Sequence, residues 1–245
     1  PWPLTVRCFG GFELLVDGRP LPSRGKSKHR QLELVKLLAA HAPAPLSPAR
    51  ITEILWPDSD GDAARHALET TLSRLRSTLG CDVFRSEHGT LALDRSICWI
   101  DATALDECIG RIESGTGELE PAAAGDAVRD LLRGELLAGE SSSWLLPRRE
   151  YWRSRIARVL GTAAAQLADG GGFVEAVRLL EYALAADPYS EPLTARLMSL
   201  CLAAGRHAEG LAAYRRYCRI ALSVLGTPVA AEIESLARQL QERSA

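Results

Sequence analysis

The chain has 245 residues, 47% hydrophobic and 24% charged with a net charge of −2, a globular composition long enough for one large domain or two ordinary ones. No apolar run reaches the ~18 residues of a membrane-crossing helix, and no basic-then-apolar leader is present, so a cytoplasmic protein with no membrane partner is expected. The six cysteines (Cys8, Cys81, Cys98, Cys108, Cys201, Cys218) are scattered without a CxxC pair, which favours reduced, buried thiols over a zinc site or a disulfide framework.

The opening residues read as strands. "LTVRCF" sets Leu4, Val6 and Cys8 against Thr5, Arg7 and Phe9, the period of a half-buried strand. "GFELLVDGRPLP" adds a strand, a turn at Asp17–Gly18 and a short return strand, since Asp-Gly suits the left-handed dihedrals of a tight hairpin. Lys26, Lys28 and Lys36 follow, close to Arg19, Arg24 and Arg30. Such a local basic patch can bind phosphates on a mildly acidic chain, although a solvated charge run fits it equally well.

Three helices come next. "SKHRQLELVKLLAAHA" places Leu32, Val35, Leu38 and Ala39 at helical spacing, and Pro43 and Pro45 end it. In "SPARITEILWPD", Ser47 is the expected N-cap and Pro48 the first helical residue, with Ile51, Ile54 and Leu55 on the apolar side. The third helix is "GDAARHALETTLSRLRSTLG", for which Asp62 is the expected N-cap. At 100° per residue its Leu68, Leu72, Leu75 and Leu79 share one narrow band, with Ala64 and Thr71 beside it. His66, Thr70, Ser73 and Ser77 fall opposite, flanked by Arg65, Arg74 and Arg76. Short polar side chains let a helix approach a groove closely, and arginines can fork onto guanine edges or phosphates. Then "CDVFRSEHGTLALD" reads as two short strands around a turn at His88–Gly89, with Leu91 and Leu93 inward.

Strands, three helices and a hairpin are the order of a winged helix with an extra N-terminal sheet. Residues 4 to 100 resemble the DNA-binding domain of OmpR/PhoB-type regulators, above all the version in SARP-family transcriptional activators. Leu55–Trp56–Pro57–Asp58, Ser73–Arg74–Leu75–Arg76 and the closing Leu79–Gly80 carry the likeness. It implies that Arg74 reaches base edges, that His66, Thr70, Thr71, Ser73 and Arg76 line the groove or meet phosphate, and that Arg85 and His88 belong to the wing; Arg65, on the flank of the polar face, is a further candidate for DNA contact. Lys26 and Lys28 would add phosphate contacts. The turn "EHGTL" departs from the family's Gly-x-Gly-Tyr, and Glu69 and Glu87 both oppose phosphate.

From Asp101 onward nearly every segment reads helical. "DATALDECIGRIES" has Asp101 as its expected N-cap and Ala104, Leu105, Cys108, Ile109 and Ile112 on one side. Helices over about 122–132 and 145–168 follow, separated by the loop "GELLAGESSSW". The second of these carries Arg148, Arg149, Arg153, Arg155 and Arg158, read as solvated or acid-paired rather than as a second DNA site. "GGFVEAVRLLEYALAADP" and "GRHAEGLAAYRRYCRIAL" then align at an offset of 34, the period of tetratricopeptide-like helix pairs, with "TPVAAEIESLARQL" as a capping helix. Residues 101 to 242 resemble the bacterial transcriptional activator domain that follows the winged helix in SARP-type proteins.

The expectation is therefore a mainly α protein with small β: a winged helix-turn-helix over 1–100 and an all-α, tetratricopeptide-like domain over 101–245. No phosphate-cradling loop, HExxH or GxSxG context marks an enzyme, a metal site or a cofactor site. Function is expected to be sequence-specific transcriptional regulation, as an activator. Double-stranded DNA is the expected partner, with RNA polymerase, a second copy, or intramolecular sensory or ATPase domains beside it. Pro1 in place of Met reads as a processed chain or a piece of a longer one. A different reading makes the winged helix a degenerate docking module for proteins.

Overall fold

Strand β1 (Leu4–Arg7) buries Leu4 and Val6 and leaves Thr5 and Arg7 half-exposed, as its alternation predicts. The computed structural model describes residues 2–21, 26–114 and 121–243, the side chains of 26–28, 121, 122, 124, 224 and 225 excepted. The alternation of β1 stops at Cys8. Phe9, expected on the outer face, is 2% exposed. The backbone N–H groups of Cys8 and Phe9 both donate to the Asp101 carboxylate, at 2.7 and 2.9 Å, and Phe9 bridges to Leu136.

Strand β2 (Glu13–Val16) pairs antiparallel with β1 and continues through Asp17 and Gly18, both at positive φ (47° and 76°), into β3 (Arg19–Pro20). On the other edge, β6 (Cys98–Ile100) joins β1 in parallel, giving the order β3-β2-β1-β6. Three residues are too few for a periodic signal, so β6 is not legible in the sequence.

Helix α1 (Lys26–His41) supplies Leu34, Val35, Leu37 and Leu38 to the core. Ser47 caps α2 (Pro48–Leu55), its hydroxyl oxygen accepting from the Arg50 N–H at 3.2 Å. Helix α3 (Gly61–Leu79) begins one residue earlier than the sequence suggests. Its cap is Asp60, whose carboxylate accepts from the Ala63 N–H at 2.8 Å, and Asp62 falls instead in the first turn. There its charge still meets the positive end of the helix dipole. Ala64, Leu68, Thr71, Leu75 and Leu79 are buried, and Gly80, left-handed at φ 73°, ends the helix.

The wing is β4 (Phe84–Glu87) and β5 (Thr90–Leu93), joined by His88 and Gly89 at φ 49° and 74°. Leu91 and Leu93 point inward as expected, and Leu91 also exchanges two backbone hydrogen bonds with Leu46. Residues 133–144 belong with this unit by contact, which comprises Pro1–Glu107 and Asp130–Arg149. Three of their bonds tie them to the end of β1: Gly10 to Glu135, Leu137 to Cys8 and Ala138 to Gly10.

The second unit comprises Cys108–Arg129 and Glu150–Ala245. It holds the second half of α4 (Asp101–Ser114), most of α5 (Pro121–Leu131) and α6 (Leu145–Asp169), and all of α7 (Phe173–Ala186), α8 (Glu191–Ala203), α9 (His207–Ile220) and α10 (Ala231–Glu242). Helices α7 and α9 start 34 residues apart, matching the repeat. At the equivalent crossing positions Ala176 is fully buried, and a Cβ on Gly210 would come within 2.8 Å of Leu240 Cδ1 and 3.1 Å of Cys201 Cβ. Only a very small residue allows α9 that approach to α8 and α10. Tyr217, the bulky substitution in the second repeat, is accommodated at 4% exposure with its hydroxyl donating to Glu191 at 3.1 Å.

Of the arginines of α6, Arg153, Arg155 and Arg158 are acid-paired, as expected, and Arg148 and Arg149 bond backbone carbonyls. Arg155 and Arg158 bind Glu113 at 3.1 and 2.7 Å, and Arg153 binds Glu150 at 2.9 Å. Arg148 donates to the Ala40 carbonyl, and Arg149 to those of Leu136, Leu137 and Glu140. Among the described residues no helix is long and apolar enough to cross a membrane.

Candidate nucleic-acid interface

The leucine stripe of α3 packs inward and thereby fixes which side chains face out. Arg65, His66, Glu69, Ser73, Arg74 and Ser77 are exposed and Thr70 is half-exposed, a continuous polar face on a helix of 19 residues. Arg65 and Arg74 lie on opposite flanks of this face, about 14 Å apart along the axis at 1.5 Å per residue. Neither makes an ion pair among the described residues. Free guanidinium groups flanking short hydroxyls and an imidazole can donate to phosphate oxygens and base edges without first breaking an internal bond.

Three residues expected on that surface are otherwise occupied. Thr71 is 7% exposed and its hydroxyl donates to the Ala67 carbonyl at 2.8 Å, so it sits on the packed face with the leucines. Arg76 lies with its guanidinium over the Phe84 ring, 5.6 Å from the centroid, and its Nε is 3.0 Å from Asp82 Oδ1. That Nε is buried and meets the carboxylate off its N–H axis, so the pairing is Coulombic rather than a directed hydrogen bond. In the wing, Arg85 pairs with Glu87 at 2.6 Å, which cancels the cation that would approach phosphate. His88 stays exposed at the tip of the turn.

The basic patch around α1 is smaller than the sequence suggests. Lys36 is withdrawn from it, since its ammonium bonds Glu33 at 2.9 Å and Glu140 at 2.6 Å. Lys26 and Lys28 fall on the first turn of α1, but their side chains lie outside the described residues, as does Arg24. Arg30 and Arg19 are exposed.

Several carboxylates organise this unit. Asp60 caps the exposed helix, and Asp82 accepts from the Phe84 N–H at 3.2 Å while facing Arg76. Asp101 is buried, and burial raises its carboxyl above the usual carboxylate range against the pull of the Phe9, Cys8 and Ala102 N–H groups. At the base of the wing the hydroxyl and backbone N–H of Ser96 hold Asp94 below that range. Of these the sequence had singled out only Asp101, as a helix cap, and it had put the cap of α3 at Asp62, two residues after Asp60. Asp82 and Asp101 have partners that are remote or lie around a turn. Among the described residues, no group of three His, Cys, Asp or Glu side chains is placed to hold a metal ion.

Comparison with known proteins bears on both units. The family model described as the bacterial transcriptional activator domain matches residues 100–241. The regulatory protein AfsR of Streptomyces griseus is 27% identical over 241 residues, covering 96% of this chain and 24% of its own length. The chain therefore spans about a quarter of that curated relative. The structure of EmbR from Mycobacterium tuberculosis, solved in complex with a low-affinity phosphopeptide, superposes with a TM-score of 0.65 at 19% identity. It covers 99% of this chain and 66% of that one, and it shares the fold of a winged helix plus a helical, tetratricopeptide-like domain.

Proposed function

The chain belongs to the bacterial transcriptional activator domain family, of SARP type, and from that membership we propose that it is a sequence-specific DNA-binding activator. The family is one of transcriptional regulators, not an enzyme class. In this reading residues 1–100 form the DNA-binding domain and 101–245 the activator domain. Helix α3 enters the major groove and the wing lies along the backbone beside it.

One observation carries the reading. The outward face of the third helix, immediately before a wing hairpin, has no large apolar residue and carries two guanidinium groups, Arg65 and Arg74, that make no ion pair among the described residues. Ser73, Thr70 and His66 lie between them as close-approach positions, and Lys26 and Lys28 supply phosphate contacts. RNA polymerase is the partner through which an activator would act, and a second copy would bind a half-site about one helical turn away. The activator domain provides the surface for such partners, or for sensory or ATPase parts of a longer protein. A chromosomal target puts this work in the cytoplasm.

Selection from a random duplex pool, followed by salt-titrated mobility shifts on the selected sequence, tests the reading. Enrichment of a defined motif is expected, with affinity falling as salt rises. No retardation of any duplex at low salt would favour the second reading, a protein-docking module. Exposed Glu69 and the neutralised Arg85–Glu87 pair are the observations on its side.

A further inference from the structure

Helix α3 and the wing are joined by only four residues, Gly80 to Val83, and one arginine spans the joint. Arg76 is in the last turn of α3, where its carbonyl also accepts the capping N–H of Gly80 at 2.9 Å. Its guanidinium covers Phe84, the first residue of β4, which is 7% exposed and paired with Leu93. The same Asp82 oxygen that faces Arg76 accepts from the Phe84 N–H. One carboxylate thus holds both the end of the helix and the start of the wing. Arg74, two residues earlier, has no such partner and faces away by about 160° on the wheel.

We propose that Arg76, Asp82 and Phe84 form a brace that sets the wing's angle to helix α3. Arg76 is then a positioning residue that acts on DNA through the wing and does not itself touch phosphate. The proposal rests on the DNA-binding reading above and narrows it: of the two arginines in the Ser73–Arg76 run, one reads and one supports. The chemistry calls for arginine. A planar guanidinium can lie on an aromatic face and present a nitrogen to a carboxylate at once, whereas a lysine ammonium is a single point of charge.

The experiment measures affinity for the selected duplex across a salt series with Arg76→Ala, Arg76→Lys, Asp82→Asn and the Arg76→Ala/Asp82→Asn pair, with Arg74→Ala as the reference. A brace predicts that Arg76→Ala and Asp82→Asn each weaken binding about three- to tenfold, from the size of such contacts. The double variant should be no weaker than either single one, Arg76→Lys should behave like Arg76→Ala, and the salt slope should stay that of the parent. A phosphate contact predicts the reverse. Arg76→Ala would then lower the slope by about 0.9, Arg76→Lys would retain most of the affinity, and Asp82→Asn would bind at least as tightly as the parent because it frees the cation.

That second pattern, or parent-like binding by both single variants, overturns the proposal. Hydrogen exchange at the wing amides in the free protein gives a readout that needs no DNA. Faster exchange over residues 84–93 in both single variants supports the brace, and unchanged exchange overturns it. If the parent itself binds no duplex, the DNA reading fails, and the exchange result alone decides whether the brace exists.

Discussion

Arg74 and Arg76 differ in sequence by two positions and in structure by what surrounds them. Arg74 is exposed and makes no ion pair among the described residues, so its truncation should be felt only when DNA is present. Arg74→Ala is expected to cost about 1–3 kcal/mol of binding and to relax preference at one base position, leaving the melting temperature unchanged. Equal binding of every duplex by variant and parent, in a selection repeated with both, would remove Arg74 from the reading role. Asp101 is the opposite kind of residue, with its effect in the fold. Asp101→Ala strips the acceptor from two buried N–H groups, on Cys8 and Phe9, and should lower stability by roughly 2–4 kcal/mol in denaturant unfolding. A loss under 1 kcal/mol would mean that water or another acceptor replaces it. The polar face of α3 was legible because wheel geometry depends only on residues within the helix. The occupation of Arg76 was not, because Asp82 and Phe84 lie beyond the helix end.

At the scale of elements, close approach and burial set the sensitive positions. Gly210 lets α9 lie against Leu240 and Cys201, so Gly210→Val should destabilise the helical unit by about 1–3 kcal/mol through overpacking. Thermal unfolding of the variant measures this, and an unchanged midpoint would show that α10 can shift to make room. His41 ends α1, where the helix dipole favours a charged imidazole. Burial nevertheless holds its pKa below the usual 6.5, with Arg148 and Arg50 adding to the effect against the Leu37 carbonyl contact. Because the unfolded chain then binds the proton first, this contribution to stability is intact above pH 6.5 and is lost as pH falls through the lower folded value. His41→Phe should flatten the stability profile on the acid side of pH 6.5, measured by denaturant midpoints. If the slope in that window persisted, another group would be its source. Caps and turns were readable at this scale: Ser47–Pro48 and Asp17–Gly18 encode their own dihedrals. Strand β6 was not, since its partner β1 lies over 90 residues away in sequence.

For the whole molecule, charge is the quantity that matters to DNA. A net charge of −2 and a pI near 6.3 provide no general attraction to a polyanion, so binding must come from local contacts. Lys26→Ala and Lys28→Ala are therefore expected to weaken all duplexes alike and to reduce the salt slope by about 0.9 each. Sequence-dependent losses from either change would turn these from phosphate contacts into base readers. The six cysteines are all free thiols, four of them buried. Burial pushes Cys98 up to about 12 and Cys201 up to about 11, which keeps both as unreactive thiols.

By itself the sequence determined the N-terminal strands, the three helices and the wing hairpin in their order, the leucine stripe that orients α3, and the 34-residue repeat. Those features follow from dihedral preference and hydrophobic period, which act over a few residues and can be read in a line. Only the tertiary structure decided that Arg76 and Arg85 are occupied while Arg65 and Arg74 make no ion pair among the described residues, and that Asp101 bonds the end of β1. Ion pairs and hydrogen bonds between separate elements depend on neighbours brought together through space, and no local pattern names them.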